Sequence, residues 1–82
     1  MDMTSSELYH FIGTVIEKFR EAGLDPQSLE SVQDAAYATG SEWLGELGLA
    51  VRKVEEQIGH REVLRKDLET ILREVHQIWP NI

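Results

Sequence analysis

Apolar residues recur at alternating steps of three and four along the second half of the chain, in two series separated by Gly59 and His60. The members are Leu44, Leu47, Val51, Val54 and Ile58 in the first series, and Leu64, Leu68, Ile71, Val75 and Ile78 in the second. Because an α-helix turns about 100° per residue, this spacing places each series along one side of a helix. The glycine between them allows the chain to reverse, so the pattern predicts a helical hairpin.

The first half of the chain carries two further helical patterns. Thr4 and Glu7 have the spacing of a capping box, and the broad apolar face that follows predicts a helix over 6–22. Asp25-Pro26, an N-cap residue before a proline at the first helical position, predicts a shorter helix over 26–37.

The hairpin itself is expected to consist of helices over 42–58 and 61–79, the second stopped by Pro80. Trp79 is interpreted as the last core residue of that helix, and the tail after it is expected to contribute little. Connections of only a few residues favour antiparallel neighbours. The sequence therefore predicts an all-α fold, a small antiparallel up-and-down helical bundle of three long helices plus one shorter helix, with residues 1–82 as a single domain.

The net negative charge comes entirely from the first half of the chain. Residues 1–46 hold nine carboxylates against two basic side chains, whereas residues 47–82 hold six of each sign, and the net charge is -7. Such a field repels nucleic acid and anionic membrane and attracts basic partners. With no cysteine, no signal-peptide pattern and no apolar run of membrane length, the sequence favours a cytoplasmic protein.

The residues that could perform chemistry do not form a known catalytic or metal-binding pattern. Glu7 and His10 have the Glu-x-x-His spacing of half a two-metal carboxylate site, but neither His60 nor His76 supplies the second half. No nucleophile elbow or phosphate-binding loop is present. We therefore expect no catalytic residues, no metal and no cofactor, and the protein is interpreted as not an enzyme.

The third predicted helix contains two glycines, and each costs roughly 1 kcal/mol relative to alanine inside a helix. One interpretation is that these glycines allow the first or second helix to cross closely inside the monomer. The other is a docking groove, whose partner-binding residues are Glu42, Trp43, Gly45, Glu46, Gly48 and Leu49. Glu42 and Glu46 would attract a basic partner there, while Trp43 and Leu49 would anchor it.

Two classes of function fit these features. The first is a small acidic protein-interaction module that neutralises or chaperones a basic protein partner. Bacteriocin immunity proteins are similar in size, acidity and helical character, although Tyr9 and Tyr37 do not form the adjacent tyrosine pair of that family. The alternative is a homodimeric helical scaffold or regulator, because regular apolar series suit packing between chains as well as within one.

A third alternative arises at Ser28-Leu29, followed by Val32. These residues resemble the Asp-Ser-Leu motif of acyl carrier proteins, which are acidic four-helix bundles of about this length. The resemblance implies a carrier protein with phosphopantetheine attached to Ser28. Gln27 stands where that family has its aspartate, and Pro26 places Ser28 inside the first turn of the predicted helix.

Overall fold

The computed structural model describes residues 3–37 and 39–82 and contains four α-helices. They are α1 (Ser5–Glu21), α2 (Gln27–Asp34), α3 (Gly40–Val54) and α4 (Glu62–His76), with a short 3-10 segment, Glu55–Gln57, continuing α3. No strand occurs in these residues, so the all-α prediction is confirmed, as is the division into three long helices and one short helix. Within the same residues, no helix is long and apolar enough to cross a membrane.

The ends of α1 follow the local sequence closely. The Thr4 hydroxyl accepts the Glu7 N–H at 3.1 Å, and the Glu7 carboxylate accepts the Thr4 N–H at 2.8 Å. These two bonds satisfy otherwise unpaired donors at the helix start. They also lower the pKa of Glu7, chiefly because the Thr4 backbone N–H stabilises the carboxylate. At the other end, Gly23 adopts φ +75°, which ends the helix without the steric cost a side chain would add.

All four helices contribute to one hydrophobic core. Each helix packs against the next in the chain, and α1 also packs against α4, which closes the bundle. The buried apolar residues are Leu8, Ile12, Val15, Ile16, Phe19, Leu29, Val32, Leu47, Ala50, Val51, Val54, Ile58, Leu64, Leu68, Ile71, Leu72 and Val75. Most members of the two predicted series are therefore core residues.

Two predicted helices are shorter in the structure. α2 ends at Asp34, because Ala35 is already extended with ψ 149°. α4 ends at His76 instead of continuing to residue 79, which leaves Ile78 exposed although it completes the apolar series. The prediction that Trp79 is the last core residue of this helix is wrong: the side chain lies beyond the helix and is 42% exposed.

Polar contacts at both ends of the α1–α2 connection fix the position of α2. The Arg20 guanidinium on α1 donates to the Glu30 carboxylate on α2, and this bond raises the pKa of Arg20. The Gln57 side-chain amide accepts the Asp25 N–H and donates to the Asp25 carbonyl oxygen, both at 2.8 Å. Together these contacts hold the start of α2 beside the end of α3, where the two helices form a groove.

Candidate docking site beside α3

Three neighbouring sides of α3 each carry a series of residues that advances by steps of three or four. One side is the core series described above. The second side, which we call the covered stripe, consists of Ser41, Gly45, Gly48 and Arg52, each of which contacts the segment after α4. The third side, which we call the open stripe, consists of Glu42, Glu46, Leu49 and Lys53, all of them exposed.

Trp79 occupies the first half of the covered stripe. Its indole Nε1–H donates to the Ser41 carbonyl oxygen at 2.7 Å. A Cβ placed on Gly45 would lie 3.3 Å from Cε2 and Nε1 of this indole, so the missing side chain makes room for the ring. The contact gives the indole N–H an acceptor and covers the helix backbone with aromatic surface.

Ile82 occupies the second half of the covered stripe. Its main-chain oxygen accepts the Arg52 Nε–H at 2.9 Å. A Cβ on Gly48 would lie 2.7 Å from Cγ2 of Ile82 and 2.8 Å from Cγ1 of Val75. Since real Cβ atoms essentially never come this close to another heavy atom, the position requires glycine in this packing arrangement.

These contacts correct the interpretation of the two glycines. They do allow a close approach within the monomer, but the approaching group is neither the first nor the second helix. It is the end of α4 together with Trp79 and Ile82. We call residues 79–82 the tail. The sequence suggested that the residues after Trp79 contribute little, but Trp79 and Ile82 together cover one side of α3.

The open stripe borders a groove with an apolar floor. A cleft of about 370 Å³ is lined by Tyr37, Glu42, Gly45, Glu46, Leu49, Trp79 and Ile82. Leu49 is 50% exposed, an unusual position for a leucine in a helix that also supplies the core. The tail forms one wall of this cleft, so the covered stripe and the open stripe are structurally linked.

The cleft continues into a larger groove between α2 and α3. This second part has a volume of about 630 Å³ and is lined by Gln27, Ser28, Ser31, Val32, Tyr37, Glu46, Leu49, Ala50, Arg52, Lys53 and Glu56. Three of these residues, Tyr37, Glu46 and Leu49, line both parts. The two clefts therefore form one groove that follows the open stripe from Glu42 to Lys53.

The charges at the two ends of the groove differ. Glu42 and Glu46 border the end near the start of α3. Arg52, Lys53 and Glu56 border the other end, which therefore carries charges of both signs. Arg52 is already engaged, because it donates to Ile82 and forms an ion pair with Glu55 at 3.2 Å.

The structure brings together four of the six residues predicted to bind a partner. Glu42, Gly45, Glu46 and Leu49 line the same groove. Gly48 is buried beneath the tail, and Trp43 lines a different cleft of about 320 Å³, together with Tyr9 and Gln33, while its ring packs against the core. The predicted set therefore splits because its members lie on three sides of one helix.

Sequence reasoning missed several residues that line the groove, among them Lys53, Trp79 and Ile82. Lys53 could have been found, because it continues the spacing of Glu42, Glu46 and Leu49 by one more turn. Trp79 and Ile82 gave no such signal, since their positions depend on where the chain turns after α4.

The other candidate chemical groups are distributed separately. Ser28 is the second residue of α2, inside its first turn, and is partly buried at the edge of the groove. His10 and His60 are exposed, and the imidazole Nε2 of His76 is buried and has no hydrogen-bond partner among the residues that the structure describes. Over residues 3–37 and 39–82, no three histidine, aspartate or glutamate side chains are grouped so that they could hold a metal ion.

Comparison with known proteins gives no further guide to this site. No protein-family model, no curated protein and no solved structure matches the chain. Any functional inference must therefore come from the groove itself.

Proposed function

We propose that the chain is a non-enzymatic acidic protein-interaction module that binds a basic protein partner through the groove beside α3. The observation that carries this proposal is the open stripe. There the exposed Leu49 lies one helical turn beyond the exposed carboxylates of Glu42 and Glu46, and all three line a concave surface. Exposed apolar surface within a groove is typical of sites that bind another molecule.

The two kinds of residue would contribute differently to binding. Glu42 and Glu46 would raise the rate of encounter with a cationic partner and select against anionic ones. Leu49 and the exposed part of Trp79 would supply the apolar contact that keeps the complex together once it has formed. The net charge of -7 adds a long-range field of the same sign.

The proposal is tested by recovering the partner with the tagged chain from its own host and measuring bound proteins by quantitative mass spectrometry. The informative variant is Glu42→Lys with Glu46→Lys. Its matched control is Glu21→Lys with Glu69→Lys, which changes the net charge equally at exposed positions that do not line the groove.

We expect one basic protein to be recovered at equal stoichiometry by the unaltered chain and by the control, and to be lost with the groove variant. High salt should also release part of it, because exposed charges are screened. Equal loss from both variants would mean that only the overall charge matters, and equal retention by both would mean that the groove is not the binding site. Either result would contradict the proposal.

A further inference from the structure

We infer that the groove beside α3 is shaped for one amphipathic helix of about three turns, which presents basic residues at the end beside Glu42 and Glu46. This inference rests on the function proposed above, since it identifies the form of the partner segment that the same groove would bind. It is carried by the length of the groove, its apolar floor and the different charges of its ends, one acidic and the other mixed.

The length of the groove follows from the helix that forms its wall. The open stripe runs from Glu42 to Lys53, and at 1.5 Å per residue this corresponds to roughly 17 Å. A helix of about eleven residues has the same length, whereas an extended strand of that length would contain only about five residues. The groove is therefore long enough to bury several turns of one helical face.

Apolar residues line both parts of the groove. Leu49 on α3 and Tyr37 on the segment after α2 line both clefts, so they lie where the two meet. Val32 and Ala50, which are themselves mostly buried, line one part, and Trp79 and Ile82 line the other. Apolar residues spaced three and four apart on a bound helix would contact this floor in successive turns, as in other helix-in-groove complexes.

The charges define the direction in which the helix lies. Two carboxylates border one end, and no basic side chain of residues 3–37 and 39–82 lines the groove there. The other end carries Lys53, whose ammonium forms no ion pair with the described residues, together with the engaged Arg52 and the carboxylate of Glu56. A helix with basic residues at one end and a carboxylate at the other would complement both ends in only one direction.

The inference can be tested without knowing the natural partner. A displayed library of random peptides of about 14 residues is selected for binding to the intact chain, and the enriched clones are sequenced. Each clone is then measured against Leu49→Glu and against the control Val63→Glu, which introduces the same charge at an exposed apolar residue of α4 outside the groove.

The expected clones carry apolar residues at steps of three and four, with lysine or arginine clustered at one end. Their affinity should fall about tenfold or more with Leu49→Glu and remain within about twofold with Val63→Glu. When the library is instead selected for binding to the double variant Glu42→Lys, Glu46→Lys, the enriched peptides should carry carboxylates in place of the basic cluster. When Lys53→Glu is the target, the peptides should lose their preference for a carboxylate at the opposite end.

Three results would overturn the inference: enriched clones with strand-like alternation or no periodicity, affinity that is insensitive to Leu49→Glu, or no enrichment at all. Failure here is distinguishable from failure of the proposed function. If a host protein is still lost with the groove variant while no helical peptide is enriched, the groove binds a basic partner of another shape.

Discussion

The covered stripe and the open stripe of α3 are neighbours, related by a shift of one residue, yet they have different surroundings. Gly48 is buried beneath Ile82 and Val75, whereas the next residue, Leu49, is 50% exposed. The smaller residue is enclosed and the larger apolar residue faces solvent, which is the reverse of what hydrophobicity alone favours. The difference arises because Trp79 and Ile82 cover one stripe and leave the other exposed.

Gly48 and Leu49 are both unusual residues for their positions in a helix, and the reasons for them differ. A glycine inside a helix lowers intrinsic helix stability, and here the loss is offset by the close packing of the tail. A half-exposed leucine gives up about half of the favourable burial of its side chain within the monomer. The fold explains the glycine at position 48. Under our proposal, a bound partner explains the exposed leucine at position 49.

Among substitutions in the two stripes and the tail, the largest expected effect is that of Gly48→Leu, which would force the tail and Val75 away from α3. Overpacking of this kind should lower the free energy of unfolding by about 2 kcal/mol. Gly40→Leu is the matched control, because a Cβ at that glycine meets no heavy atom within 4 Å. Urea denaturation measures both; an equal, small change in the two variants would show that the tail does not cover Gly48.

Removal of the indole should have the next largest effect. Trp79→Ala loses the hydrogen bond to Ser41 and the packing on Gly45, so we expect a loss of about 1–2 kcal/mol in the free energy of unfolding. Tyr9→Ala, at an aromatic residue that is 45% exposed on α1, should cost clearly less. If the two losses are equal in urea denaturation, the indole does not stabilise the covered stripe.

Gly45→Ala should have the opposite sign to Gly48→Leu. The new Cβ would lie 3.3 Å from the indole, which is partly exposed and can shift by a few tenths of an ångström. The gain in helix propensity should then dominate and raise the free energy of unfolding by about 0.5 kcal/mol. A clear loss of thermal stability would show that the indole is fixed more firmly than its exposure indicates.

The smallest effect on stability is expected for Leu49→Ala, because the side chain is half exposed. The free energy of unfolding should change by less than about 0.5 kcal/mol, while Leu47→Ala, in the core, should cost about 3 kcal/mol. Recovery of the host partner should nevertheless fall with Leu49→Ala. If neither the free energy of unfolding nor the recovery of the partner changes, Leu49 neither stabilises the fold nor binds the partner.

Much of the fold could be predicted because its signals are local. The capping box at Thr4, the end of α1 at Gly23 and the apolar series of α3 depend on residues within a few positions of one another. The position of Trp79 could not be predicted in this way. It depends on the early end of α4 and on a contact with Ser41, which is 38 residues away in the chain.

The candidate site was predicted in part for the same reason. Glu42, Glu46 and Leu49 share one side of α3 because of helix geometry alone, and all three line the same groove. Gly48 and Trp43 were included because they are close in sequence, although they lie on other sides of the helix. Which side stays open is decided by the tail and by α2, and neither effect is visible in the sequence of α3.

The most direct test of the central claim is a titration of the ¹⁵N-labelled chain with its recovered basic partner, monitored by the backbone amide resonances. We expect the largest changes at Glu46, Leu49 and Lys53, with smaller changes at Trp79 and none at Val63. Changes centred on α1 and α4, with the open stripe unaffected, would contradict the account.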